Sequence, residues 1–214
     1  FYDSEDHLFG EYGPMEGIGI PRAAPYWFEA AAGDDDLEIA HVTVVNNNAQ
    51  NHRLNFSPLR ARQVDRHEKT KLRELSKHHA KPMSPIKYDS PALEGRSMKV
   101  THLYDGGDMI EFSVEKIDRG GDWGLHSHTG AEGAWYVLSG IARFRDEKGI
   151  LPDLSANEGV YIPTNEGYGF ESVGNETLEI LHVKARDVRI TESVRVDIEP
   201  KSRGAVNGST EFRG

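Results

Sequence analysis

The sequence predicts an all-β sandwich or barrel, and two observations carry that expectation. The first is an internal repeat: residues 16 to 42 read EGIGIPRAAPYWFEAAAGDDDLEIAHV and residues 158 to 183 read EGVYIPTNEGYGFESVGNETLEILHV. Glu16, Gly17, Ile20, Pro21, Tyr26, Phe28, Glu29, Leu37, Glu38, Ile39, His41 and Val42 all recur, with one residue of difference in loop length. Each copy reads as a strand ending at Pro, a tight turn, a strand through the Phe, a Gly/Asp/Asn loop and a last strand with LEI alternation. The second observation is the run MIEFSVEKI after Lys99, where polar and apolar residues alternate with the period of two that sends successive side chains to opposite faces of a sheet.

Between the two copies the character changes. Ala49 to Lys81 carries nine Lys/Arg against three Asp/Glu, and a short helix is predicted from Val64 to Lys77 before the chain passes through PMSPIKYDSPALEG. The organisation expected is therefore a partial β unit over 1–48, a basic linker over 49–98, a complete β unit over 99–190, and a terminal strand with a loose tail over 191–214. The pair His78-His79 falls in the basic linker, where adjacent imidazoles on a solvated segment seldom form a site.

Composition narrows the function. A net charge of −10 over 214 residues argues against nucleic acid, whose binding rests on Lys and Arg displacing counterions. No apolar run is long enough for a membrane helix. The chain opens FYDSEDHLFG, without an initiator Met or a basic-then-apolar leader, so a processed or truncated start is expected. Cysteine is absent, which removes disulfides and thiolate chemistry, points to the cytoplasm, and leaves His, Asp, Glu and Tyr for reactivity. A small organic molecule is the expected partner.

One segment concentrates such residues: GGDWGLHSHTGAEGAWYVLSG, Gly120 to Gly140. His126 and His128 are two apart on a predicted strand, so both rings leave the same face and can reach one ion. Imidazole and carboxylate ligands suit Fe, Mn, Ni, Cu or Zn. Trp123, Trp135, Tyr136 and Tyr161 flank this pair, as pocket walls or as core. Arg143 and Arg145 alternate with Phe144, where they face either a substrate carboxylate or solvent.

This segment resembles the first motif of the cupin family: a Gly, an HxH, a Glu shortly after, and an aromatic strand closing on Gly. EGVYIPTNEGYGFESVGNETLEIL resembles the second cupin motif, with both motifs in order between Lys99 and Ala185. The resemblance implies a double-stranded β-helix or jelly-roll barrel. Because residues 16 to 42 duplicate the second motif, it further implies a bicupin lacking the first half of its N-terminal unit. Such a half unit is expected to pair with its missing part or with another copy.

The family's metal is usually held by three His and one Glu, and here two of those places differ. Tyr168 stands where the last His is usual, with Tyr26 as its counterpart in the first copy. Gly133 stands at the usual Glu place, and Glu132 lies one residue earlier, on the opposite strand face unless a bulge intervenes. The resemblance leaves Glu132 and His182 as further ligands beside His126 and His128, and Tyr168 as ligand or acid/base group. His182 shares a face with Leu178 and Ile180, so it reads equally as a core residue, and the matching position of His41 favours an architectural role. The implied function is a metal-dependent enzyme, with iron first among the metals and a dioxygenase first among the reactions. The alternatives are a non-redox lyase, cyclase or isomerase using Tyr168, and a non-catalytic binding or storage cupin.

Overall fold

The computed structural model describes residues 1–3, 6–21, 24, 26–31, 37–44, 83–106, 109–186 and 194–198. Every regular element among them is a strand. Four short ones come first: β1 (Tyr2–Asp3), β2 (Glu16–Gly19), β3 (Tyr26–Trp27) and β4 (Ser84–Lys87). Ten follow: β5 (Met98–Asp105), β6 (Ile110–Ile117), β7 (His126–His128), β8 (Ala131–Ser139), β9 (Ile141–Asp146), β10 (Ile150–Ser155), β11 (Gly159–Ile162), β12 (Tyr168–Ser172), β13 (Leu178–Arg186) and β14 (Arg195–Asp197).

These ten form two antiparallel five-stranded sheets, ordered β11-β8-β13-β6-β5 and β10-β9-β12-β7-β14. Consecutive strands repeatedly change sheet, as β7 to β8, β8 to β9 and β10 to β11 do, so the chain winds around a shared interior. That winding is the double-stranded β-helix. Gly140 makes the corner from β8 to β9 at φ 82°, and a Cβ there would stand 2.8 Å from the Thr177 carbonyl oxygen. Only glycine meets both demands without strain.

Alternation decides what each strand sends inward. In β8, Ala131, Trp135 and Val137 are buried while Glu132, Ala134 and Tyr136 are exposed. Antiparallel partners share a face, so Ile117 lies beside Leu178, Glu115 beside Ile180, and Ser113 beside His182. On the other flank of β13, Ile180 lies beside Val137, His182 beside Trp135, and Lys184 beside Gly133. The second sheet contributes Ala142, Phe144, Phe170 and Tyr168 to the same interior. One end of the barrel is thus aliphatic and aromatic. The other end carries imidazole, phenol and ammonium groups.

The N-terminal repeat behaves differently from its twin. β2 pairs with β4, and β3 with β1, in two small separate ladders. The predicted last strand of this copy is not formed: residues 37–44 are not in a strand, and Leu37, Ile39 and Val42 are exposed. The reason is a missing neighbour. In the second copy the LEI strand is β13, held between β8 and β6. The described residues offer the first copy no such pair, and a strand without partners leaves its backbone groups to water. The predicted helix from Val64 to Lys77, the His78-His79 pair and the tail from Lys201 lie outside the described residues. No described helix is long and apolar enough to cross a membrane.

Candidate metal centre

β7 is only three residues long, yet it sits between β12 and β14, with His126 opposite Tyr168 on one side and Asp197 on the other. This brings His126, His128 and Tyr168 to one wall. The His126 ring is 5.1 Å from the His128 ring, at 88°, and 4.5 Å from the Tyr168 ring. His182 reaches the group from the opposite sheet, 6.4 Å from His128.

His126 has no exposed surface, and its Nδ1 lies 3.1 Å from the Gly124 carbonyl oxygen. A carbonyl only accepts, so Nδ1 holds the proton and Nε2 keeps the lone pair. That Nε2 is buried without a hydrogen-bond partner, as is Nδ1 of His128. Burial lowers the His126 pKa to about 4. Burial, followed by the nearby Lys184 charge, lowers that of His128 to about 3. Both rings are neutral bases at pH 7, the state a metal ligand requires.

Two imidazoles that share an ion at about 2.1 Å per nitrogen have ring centres about 5 Å apart. The His126–His128 pair meets this. The His128–His182 separation fits only ligands on opposite sides of the ion. Among the described residues no three His, Asp or Glu side chains stand close enough to hold one ion together. The two rings are spaced as two ligands of one ion would be, and no third donor stands with them among the described residues.

Glu132 lines the cleft with His128, but its carboxylate is not grouped with the two rings. Strand parity turns it outward, where it meets the exposed Tyr161 hydroxyl. No bulge intervenes between β8 and β11, which stay in register from Gly133 to Tyr136. Gly133 faces inward instead, and the room its missing side chain leaves is filled by His182, whose Nε2 lies 3.2 Å from where a Cβ would stand. His182 is buried, stacked on Trp135 at 3.8 Å and 8°, with Nδ1 3.8 Å from Oε1 of Glu115. Its counterpart His41 is exposed and contacts Thr43. The repeat thus carries no shared architectural role for these two histidines.

Tyr168 has a buried hydroxyl without a hydrogen-bond partner. Burial raises its pKa, and the neighbouring Trp135 N–H offsets part of that without completing a hydrogen bond. Tyr168 thus keeps its proton in the metal-free site. Trp123 and Trp135 belong to the interior, their rings 6.2 Å apart. Tyr136 and Tyr161 are exposed, because parity turns them outward with Glu132. Arg143 and Arg145 face away as well, bonded to Asp153 and Asp122.

Two residues of this end were not anticipated. Glu115 is 2% exposed, accepts a hydrogen bond from Ser113 at 3.1 Å, and leaves Oε2 unpaired. Lys184 is half-buried and lines a cleft with His128, Gly133, Tyr168 and His182. Parity could have found both: Glu115 shares its face with Ser113 and Ile117, and Lys184 with Ile180 and His182. Their charge argued for the outer face.

Strand order and the HxH on β7 facing the second-motif strand β12 decide the fold. The chain carries a cupin barrel. No protein-family model and no curated protein matches it. Among solved structures, the cupin domain of Schizosaccharomyces pombe Cnp3 is 12% identical, with 50% of this chain and 79% of that one covered at a TM-score of 0.44. A Klebsiella pneumoniae protein with a double-stranded β-helix domain is 18% identical, with 52% and 92% covered at 0.44. The polyketide cyclase RemF from Streptomyces resistomycificus is 20% identical, with 49% and 72% covered at 0.42. The double-stranded β-helix follows from the chain's own strand order.

Proposed function

We propose that this protein is a metal-dependent enzyme acting on a small organic molecule, with His126 and His128 as ligands and Tyr168 as the proton donor. The observation that carries the proposal is the buried, unpartnered nitrogen on each of two neutral imidazoles whose rings stand 5.1 Å apart. Leaving such atoms unpaired costs about 1–3 kcal/mol each, a cost an ion would remove. A bound divalent cation would supply Lewis-acid polarisation of a substrate oxygen.

The remaining chemistry belongs to the chain. Tyr168 presents a phenol that holds its proton beside the His126 ring, and the aromatic wall of Trp123, Trp135 and Phe170 limits water behind it. Proton delivery by Tyr168 fits a non-redox lyase, cyclase or isomerase. The oxygenase reading uses the same two imidazoles.

Metal analysis of the purified protein is the primary test. Stoichiometric metal in the wild type, lost in the His126→Ala/His128→Ala variant, is expected; a wild type that binds no metal would falsify both enzymatic readings. Oxygen uptake by the loaded protein then separates them. Turnover without uptake supports Tyr168 acid catalysis.

A further inference from the structure

The cleft at the polar end holds a cation that the metal reading leaves unused. Lys184 extends inward from β13 beside Gly133, and it lines the cleft together with His128, Glu132, Tyr168 and His182. Among the described residues no carboxylate pairs with it. Glu111, its register partner on β6, is bonded to Arg186 instead. The other cation near the histidines, Arg195, is already taken by Asp197 and by the Trp123 carbonyl.

A half-buried ammonium without a counter-ion is costly, and proteins keep one where a ligand supplies the missing charge. The Tyr168 hydroxyl, which lines the same cleft, is a buried donor without an acceptor. Lys184 and Tyr168 put two donors on a cleft that Glu132 also lines, and two donors suit the paired oxygens of a carboxylate. The enclosed room amounts to about 10 Å³, enough for roughly one water or one carboxylate oxygen, and the cleft opens to solvent beyond it.

We infer that the substrate carries a small carboxylate that Lys184 and Tyr168 bind in this cleft. The inference rests on the proposed reading of the cleft as the substrate site. Lys184 would fix the orientation of the substrate, leaving its reacting end toward His126 and His128.

The test uses acetate, glycolate and propionate, with acetamide and propionamide as neutral matches, titrated into the full chain and followed by NMR chemical shifts. Wild type, Lys184→Met and Lys184→Arg are compared in metal-free and metal-loaded form. The metal-free wild type is expected to prefer carboxylate over amide by at least about tenfold, the scale of one charge-assisted hydrogen bond. Lys184→Met should lose that preference, and Lys184→Arg should keep it within a few fold. Lys184→Met retains the aliphatic stem and removes an unpaired charge, so an unfolding midpoint at or above that of the wild type is expected. Equal binding of acetate and acetamide by wild type, an undiminished preference in Lys184→Met, or no carboxylate binding at all would overturn the inference. Failure of the metal reading appears separately, as absent metal with the carboxylate preference intact.

Discussion

His182 occupies the room that a side chain at Gly133 would need. Its Nε2 lies 3.2 Å from where that Cβ would be, and its ring is clamped against Trp135 at 3.8 Å. The stack prevents an easy retreat. Gly133→Ala is therefore expected to destabilise the protein by about 1–3 kcal/mol, the usual cost of overpacking, in chemical denaturation. In Gly133→Ala/His182→Ala the Cβ no longer has an opponent, so the two effects should fall clearly short of additive. Strict additivity would show that the contact does not matter.

Glu115 stands behind His182 and is expected to orient it. Glu115→Gln keeps an acceptor for the Ser113 hydroxyl while removing the charge 3.8 Å from His182 Nδ1. If His182 closes on the metal as third donor, affinity should fall about 10- to 100-fold, the scale for losing a carboxylate behind a ligating histidine. Metal titration reads this directly. An unchanged affinity would confine His182 to the core.

The barrel itself was legible because it depends on period-two alternation, turn residues and a repeated motif, all of which are local. The HxH was legible for the same reason: two residues apart on a strand means one face. What escaped depends on the other sheet. Whether Gly133 could be tolerated inward is decided by His182, about fifty residues away in sequence, and nothing local marks Lys184 as lining a cleft. Glu132 entered through its closeness to the family's Glu position and needed a bulge to face inward; the ladders on both sides of β8 stay in register there. The first copy of the repeat misled in a related way: its LEI segment has a strand's sequence, but the described residues supply no flanking strands, and residues 37–44 lie outside any sheet, most of them exposed.

The two imidazoles make the metal-free protein sensitive to acid. Their folded pKa values, about 4 and about 3, lie below the ordinary value near 6.5 that the unfolded chain has. Between those limits the unfolded state binds more protons, so stability rises with pH through this window. It is fully present above pH 6.5 and is lost as pH falls, through about 4 for His126 and about 3 for His128. For the fully buried His126 the loss amounts to at most about 3 kcal/mol. Denaturation midpoints of the metal-free protein across this range should fall with acid, and His126→Ala should flatten part of the slope. A parallel slope in that variant would assign the acid sensitivity to other groups.

Tyr168→Phe separates stability from activity. The hydroxyl it removes is buried and makes no hydrogen bond, so its loss relieves a desolvated polar group and should leave the fold unchanged or more stable by about 1 kcal/mol. The aromatic contacts with His126 and Trp135 at 4.5 and 6.0 Å remain available to phenylalanine. Metal content should therefore be retained if the phenol is an acid rather than a ligand. Turnover should drop about 10²- to 10⁴-fold, the range for losing a positioned proton donor. Retained metal with lost turnover supports the acid role, and lost metal would make Tyr168 the missing third donor. Turnover equal to wild type would remove it from the chemistry, leaving a site that evolved or retained a buried hydroxyl at a cost with no return.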